Sequence, residues 1–328
     1  MRDRECVYDI LRVLAIFLVA ILHAWSMLNM DNPQYGLSCY LYRALVDAGV
    51  PLFVLISGAL ILSQPITSLS NFLRKRLTRV LVPFLFWATI VYVIGVVIHQ
   101  YEEIETYKDA LLCYVPYLLG NKINTSHWFV HMIVALYLLT PLLQHIIQSK
   151  EGKQLCEYML IGIFLCLIFR WCFPSLFVLR YCSSLLSYLG LYIAGYYVTH
   201  FVKNMPHASI KFGLIAVVLF IINVCTHCPN HLLTQLMAVA LFGAFVCVRE
   251  WHIRKKTATL LVAISRYSYT IYFIHIPLIA AIYLLWNPVP RLWIPLLIGV
   301  LAVVLCALCC WIIDQLPHKW KGYLGIPS

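Results

Sequence analysis

Long apolar runs, broken by short polar segments, recur along the whole chain. They predict helices near residues 8–28, 46–63, 78–98, 127–147, 158–173, 183–200, 210–227, 231–249, 268–286 and 292–313. Several approach the roughly 20 residues that a helix needs to cross a bilayer, and flanking residues extend the shorter ones. The pattern reads as an all-α integral membrane protein, a single bundle of about ten transmembrane helices. Asp9 and Arg12 stand at the start of the first run, and no small-residue cleavage site follows it. That run is expected to stay as a helix rather than be removed as a signal peptide. With no visible repeat and no low-complexity tract, residues 1–328 read as one transmembrane domain with no soluble domain at either end.

Composition agrees. Of the 328 residues 62% are hydrophobic and 11% charged, where a soluble domain carries about 25% charged residues. So few charges cannot cover a soluble surface, and lipid must solvate most of the chain. The net charge of +11 does not point to nucleic acid, because the basic residues sit in the short segments between apolar runs. With a cytoplasmic N-terminus and ten helices, the inside segments hold Arg2, Arg4, Arg74, Lys75, Arg76, Arg79, Lys150, Lys153, Lys203, Lys211, Arg249, Arg254, Lys255, Lys256, Arg266, Lys319 and Lys321. The outside segments hold Arg43, Lys108, Lys122, Arg180 and Arg291. This bias of seventeen to five predicts both termini in the cytoplasm. The longest outside segment is 99–126, with Glu102, Glu103, Glu105 and Asp109.

The thirteen cysteines do not form an evident framework. Cys166, Cys247, Cys306, Cys309 and Cys310 lie in apolar runs and read as small buried hydrophobes. Cys225-Thr-His227-Cys228-Pro-Asn-His231 has ligand-type residues, but no second pair at metal spacing. A turn at a membrane edge explains it, and no metal is expected.

Ionisable groups inside apolar spans are the candidates for chemistry, since each costs roughly 2.5–3.5 kcal/mol at a helix centre. Arg12 and His23 are eleven residues apart, almost three turns, so they share a face about 16 Å apart along the axis. Asp9 lies one turn before Arg12 and can pair with it. A structural Arg–Asp pair plus a histidine bonded to a neighbouring helix would account for them equally. The loop after the second run carries Arg74, Lys75, Arg76 and Arg79, at the start of the third run. They suit phosphate binding, though a topogenic cluster or contact with anionic lipid looks the same. Ser57-Gly58 permits close helix approach. The run beginning Ser126-His127-Trp128-Phe129-Val-His131 places two histidines on one face without the glutamate of a zinc-protease helix. Trp128 suits a membrane-interface belt or a cleft wall. Tyr272 and His275 are one turn apart in the ninth run, where a buried hydrogen bond or catalysis would serve.

Taken together, these residues resemble the acyltransferase 3 family. The resemblance is carried by Arg12-x10-His23, Phe53…Ser57-Gly58, Arg76-x-x-Arg79, His127-Trp128-Phe129…Tyr137…Pro141 and Ser268…Tyr272…His275, over residues 8 to about 313. It implies a ten-helix enzyme of the bacterial inner (cytoplasmic) membrane that transfers an acyl group from cytoplasmic acyl-CoA to a sugar hydroxyl of a cell-envelope polysaccharide or its lipid-linked precursor. The chain is most similar to the short branch without an appended esterase-like domain, as in enzymes that O-acetylate enterobacterial common antigen. The resemblance implies that His23 is catalytic, that Arg12 supports it or the donor, and that Arg76 and Arg79 hold CoA phosphate. Acetyl-CoA is the expected donor, with surface glycan and membrane lipid as partners. Asp9, Ser57, Trp128, Tyr272 and His275 are expected to line or support the cleft. His23 could take a proton from the sugar hydroxyl or carry the acyl group itself. Transfer of succinyl, with Arg170 as the extra cation, is one alternative. A proton-coupled transporter or flippase is another, although no half-repeats with broken helices are visible.

The charge bias is directly testable. Cysteine-accessibility mapping should find 99–126 open to an impermeant reagent from outside intact cells. Labelling of that segment only after permeabilisation would invert the topology.

Overall fold

The computed structural model describes residues 6–30, 36–173, 177–226, 231–315 and 318–326. Their regular structure is entirely helical. The order is α1 (Cys6–Met27), α2 (Leu37–Val46), α3 (Gly49–Ile61), α4 (Leu69–Val97), α5 (Tyr107–Leu119), α6 (Trp128–Ile147), α7 (Gly152–Cys172), α8 (Phe177–Tyr197), α9 (Ala208–Cys225), α10 (His231–Val246), α11 (Lys255–Trp286), α12 (Ile294–Ile313) and α13 (His318–Leu324). A 3-10 turn over Thr125–His127 leads into α6, and a π turn over Val198–Val202 extends α8. Among the described residues nine helical segments are long and apolar enough to cross a membrane, with α2 and α3 counted as one stretch from Leu37 to Ile61. The remaining expected run, 231–249, is α10, a shorter apolar helix of 16 residues.

Several boundaries differ from the hydropathy reading for identifiable reasons. Ser68 accepts a hydrogen bond from the Asn71 N–H and starts α4 at Leu69, so the Arg74–Arg79 cluster lies on helix rather than loop. Within 99–126, Thr106 and Asp109 form a reciprocal capping box that starts α5. α11 begins at Lys255, thirteen residues before the apolar run expected at 268; Lys255 and Lys256 open it, and the short apolar stretch Leu260–Ile264 joins them to that run.

α1 is the inner helix. It packs on α3, α11 and α12, and Leu11, Ala15, Ile16, Ala20, Ala24 and Trp25 are fully buried. α7 and α9 are peripheral, with few buried residues and broad apolar exposure, as lipid-facing helices should be. α3 and α8 meet backbone to backbone. A Cβ added at Gly58 would fall 1.8 Å from the Tyr192 carbonyl oxygen, and one at Gly195 would fall 2.0 Å from that of Leu55. These reciprocal contacts let the two helices approach as closely as small-residue interfaces in membranes do.

Both ends of the bundle sequence lie together. Asp9 of α1 accepts a hydrogen bond from Ser265 of α11, while the next residue, Arg266, pairs with Asp314 after α12 at 3.2 Å. Asp314 also holds Lys321 of α13 at 3.0 Å and accepts from the Tyr267 hydroxyl at 2.9 Å. Burial pushes the Asp314 carboxyl up, but the hydrogen bonds from Lys321 and Tyr267, with Arg266 beside them, hold it below its ordinary value. A lowered folded-state value means that this clamp is complete above the ordinary carboxylate range and weakens only as pH falls through it.

The α3–α8 crossing gives a test. Gly58→Ala should force the helices apart and destabilise the protein by about 1–3 kcal/mol, the usual range for overpacking, read as a lowered melting temperature in detergent. An unchanged melting temperature would contradict the crossing.

Candidate active site

Two of the polar groups in the interior are built on α1. At the end that holds the chain termini, Asp9 is 1% exposed and accepts from Ser265 Oγ at 2.6 Å. Arg12 Nη1 lies 3.5 Å from the same carboxylate oxygen. Arg76 of α4 donates to Gln64 Oε1 at 2.9 Å and sits over the Phe72 ring. Gln64 is fixed in turn by Gln144, a buried residue near the end of α6. The Gln144 amide donates to the carbonyls of Ile61, Leu62 and Gln64, so it satisfies acceptors that the end of α3 leaves open. Arg79 is exposed one turn beyond Arg76. Tyr137 of α6 lies within electrostatic reach of Arg12, Arg76 and Arg79.

The second group lies almost three turns along α1. His23 Nε2 is 3.3 Å from Ser126 Oγ, in the turn before α6. Ser126 is pinned from both sides: its N–H donates to Asn124 Oδ1 at 2.9 Å, and its carbonyl accepts from the Tyr272 hydroxyl of α11. The rings of His23 and His275 are 5.2 Å apart and tilted by 55°. His275 is fully buried, with Nδ1 3.0 Å from the Ile271 carbonyl. A carbonyl oxygen only accepts, so Nδ1 carries the proton and Nε2 presents a bare lone pair. That lone pair has no hydrogen-bond partner among the described residues, and neither do His127 Nδ1 and His131 Nε2. Both of these histidines stand edge-on to Phe84.

Aromatic side chains surround the imidazoles. Phe129 lies between Tyr272, at 5.3 Å, and Phe53, at 6.4 Å. Ser57 is half-buried one turn from Phe53 and shares its face of α3. Trp128 packs on Tyr188 at 5.3 Å and remains 38% exposed. The Tyr269 hydroxyl donates to the carbonyl of Val80, the residue after Arg79, at 2.8 Å, and its ring lies 6.5 Å from that of Tyr272, which is 6.0 Å from His275, so tyrosines line the way from α4 to the imidazoles. A groove of about 670 Å³ on α4, lined by Val82, Leu85, Phe86, Thr89, Ile90, Val93, Ile94 and Tyr323, contains none of these residues.

The structure thus gathers His23, Tyr272 and His275 at one end and Asp9 and Arg12 at the other, with Arg76 and Arg79 on α4 in electrostatic reach of the same Tyr137 as Arg12. Sequence reasoning passed over Ser126, Gln64, Gln144 and Ser265. The signal for Gln144 was present, as an amide inside a run that is otherwise apolar. Ser126 offered only its place before His127. Among the described residues no three His, Cys, Asp or Glu side chains gather as a metal site. His227 and Cys228 of the cysteine–histidine cluster lie outside the described residues.

The family model for the acyltransferase 3 acyltransferase domain matches residues 7–314. The chain belongs to the acyltransferase 3 family. Comparison with curated proteins and with solved structures gives no match. The matched stretch runs from the start of α1 to the end of α12 and includes every residue of both polar groups. An acyltransferase needs a site that moves a proton and a site that holds its donor, and this interior has two chemically distinct ends suited to those tasks.

The Tyr272–Ser126 bond can be probed alone. Tyr272→Phe removes one hydroxyl and the bond it donates to the Ser126 carbonyl, which keeps the Trp128 N–H, and should destabilise the protein by about 0.5–1.5 kcal/mol. Thermal unfolding of the purified variant reads this directly, and stability equal to wild type would show that the bond carries no weight.

Proposed function

We propose that this acyltransferase takes an acetyl group from cytoplasmic acetyl-CoA and transfers it to a hydroxyl of a cell-envelope glycan or its lipid-linked precursor, in the bacterial cytoplasmic membrane. One observation carries the reading: α1 bears a guanidinium at one end of its interior path and an imidazole nearly three turns away, each met by a different polar set. The charge bias puts the guanidinium end on the cytoplasmic side. There Arg76 and Arg79, with Arg12, bind the phosphates of CoA through charge-assisted hydrogen bonds. The slender pantetheine arm follows the tyrosine lining, and the thioester arrives beside His23.

At His23 the acceptor hydroxyl loses its proton to the imidazole as its oxygen attacks the thioester carbonyl. The carbon–sulfur bond breaks, the ester forms, and the proton passes to the departing CoA thiolate. The unmet imidazole nitrogens of His127 and His131 suit an acceptor rich in hydroxyl donors. The same geometry favours acetyl over a negatively charged acyl group. Arg170 stands on α7, which packs on α8 and α6, whereas α1 packs on α3, α11 and α12.

Two variants separate the ends. His23→Ala should cut release of CoA thiol, measured in detergent with acceptor glycan, by at least about 10²–10⁴-fold, while acetyl-CoA binding persists. Near-wild-type turnover would remove His23 from the mechanism. Arg76→Gln combined with Arg79→Gln should weaken acetyl-CoA binding, each lost contact costing about 1.5–3 kcal/mol. Unchanged affinity in a correctly inserted double variant would assign the cluster to topology and lipid contact.

A further inference from the structure

The fully buried His275 ring has one nitrogen committed and one free. Its Nδ1–H is held by the Ile271 carbonyl, and its bare Nε2 has no partner among the described residues. A buried, unmet acceptor is costly, and a function is a common reason for retaining one. The ring that faces it is His23, whose own Nε2 is already engaged by Ser126 Oγ. The one N–H that His23 can offer to His275 is therefore that on Nδ1. No hydrogen bond joins the two rings as they stand, and catalytic contacts often tighten only when substrate is bound.

We propose that His275 is a positioning residue: its bare Nε2 accepts the Nδ1–H of His23, holds His23 in that tautomer and so leaves Nε2 as the proton-accepting atom, turned to Ser126 and the incoming hydroxyl. The proton positions then follow one from another. The Ile271 carbonyl fixes His275, His275 fixes His23, and the lone pair of His23 faces the Ser126 hydroxyl. When His23 Nε2 takes the acceptor proton, the Nδ1–H bond to His275 helps to stabilise the imidazolium that forms, as the group behind the histidine of a catalytic triad does. No group leaves or joins either ring. This inference rests on the reading of His23 as the base.

The test is the tautomer itself. In protein labelled with 15N-histidine, with the His23 signal assigned by loss in His23→Gln, nitrogen NMR should show His23 protonated at Nδ1 and bare at Nε2. In His275→Met, which fills the space without an acceptor, that signature should shift toward a mixture of tautomers. The kcat should then fall about tenfold or more, short of the roughly 10²–10⁴-fold cost of losing the base itself, with the KM for acetyl-CoA little changed. His275→Gln, which keeps an acceptor, should recover part of the kcat. A role in packing alone predicts the opposite order, with apolar Met tolerated better than Gln. Protonation of His23 at Nε2 in the wild type, or Met outperforming Gln, would overturn the proposal. The NMR result stands whether or not the donor and acceptor are those proposed; a mistaken donor or acceptor would instead appear as no turnover by the wild type.

Discussion

A carboxylate almost wholly buried in the first helix has to be met, and the meeting of Asp9 by Arg12 and Ser265 fixes how α1 sits in the bundle. Isolated ionisable groups at membrane depth are expensive. The helix that carries Asp9, Arg12 and His23 is therefore drawn inside, where other helices supply partners. Once the Asp9 end is docked on α11, the rigid rise of the helix carries His23 about 16 Å beyond Arg12. It arrives against Ser126 and His275, on α6's leading turn and on α11. The separation between the proposed donor end and the imidazole end is thus a property of one helix, not of flexible loops.

α6 is the second element that reaches both ends. Ser126 and the Asn124 cap lie before its first turn, Tyr137 lies mid-helix within electrostatic reach of three arginines, and Gln144 near its end ties the α3–α4 connection and through it Arg76. α3 and α8 brace this arrangement from outside by meeting at Gly58 and Gly195. The peripheral helices α7 and α9 bury little and are free to face lipid. The function proposed for the interior needs two remote chemistries at fixed distance, and two rigid helices each spanning that distance provide it.

Much of this was legible in the sequence. Runs such as 127–147 and 292–313 reappear as α6 and α12 almost unchanged, because apolar length is a strong signal. The family resemblance, from Arg12-x10-His23 through Ser268…Tyr272…His275, agrees with the match over residues 7–314. The pairing of Asp9 with Arg12 also followed from spacing. What could not be read were contacts across long separations. Ser126 becomes important only when α1 and α11 are placed beside it, and nothing local distinguishes it from any serine ahead of a helix. Gln144 is similar, since its partners are backbone carbonyls that no side-chain pattern encodes. α5 escaped hydropathy, yet its Thr106–Asp109 capping box was visible as a local motif. The helical state of Arg74–Arg79 escaped because charge masks the periodicity on which the run was judged.

In the proposed reaction one donor molecule spans both polar groups, and a cryo-electron-microscopy map of the protein bound to CoA tests this. Phosphate density is expected against Arg76 and Arg79 near Arg12, with the pantetheine arm along Tyr137 and Tyr269 and its thiol beside His23. Phosphates at the imidazole end, or a thiol that stays among the arginines, would contradict it.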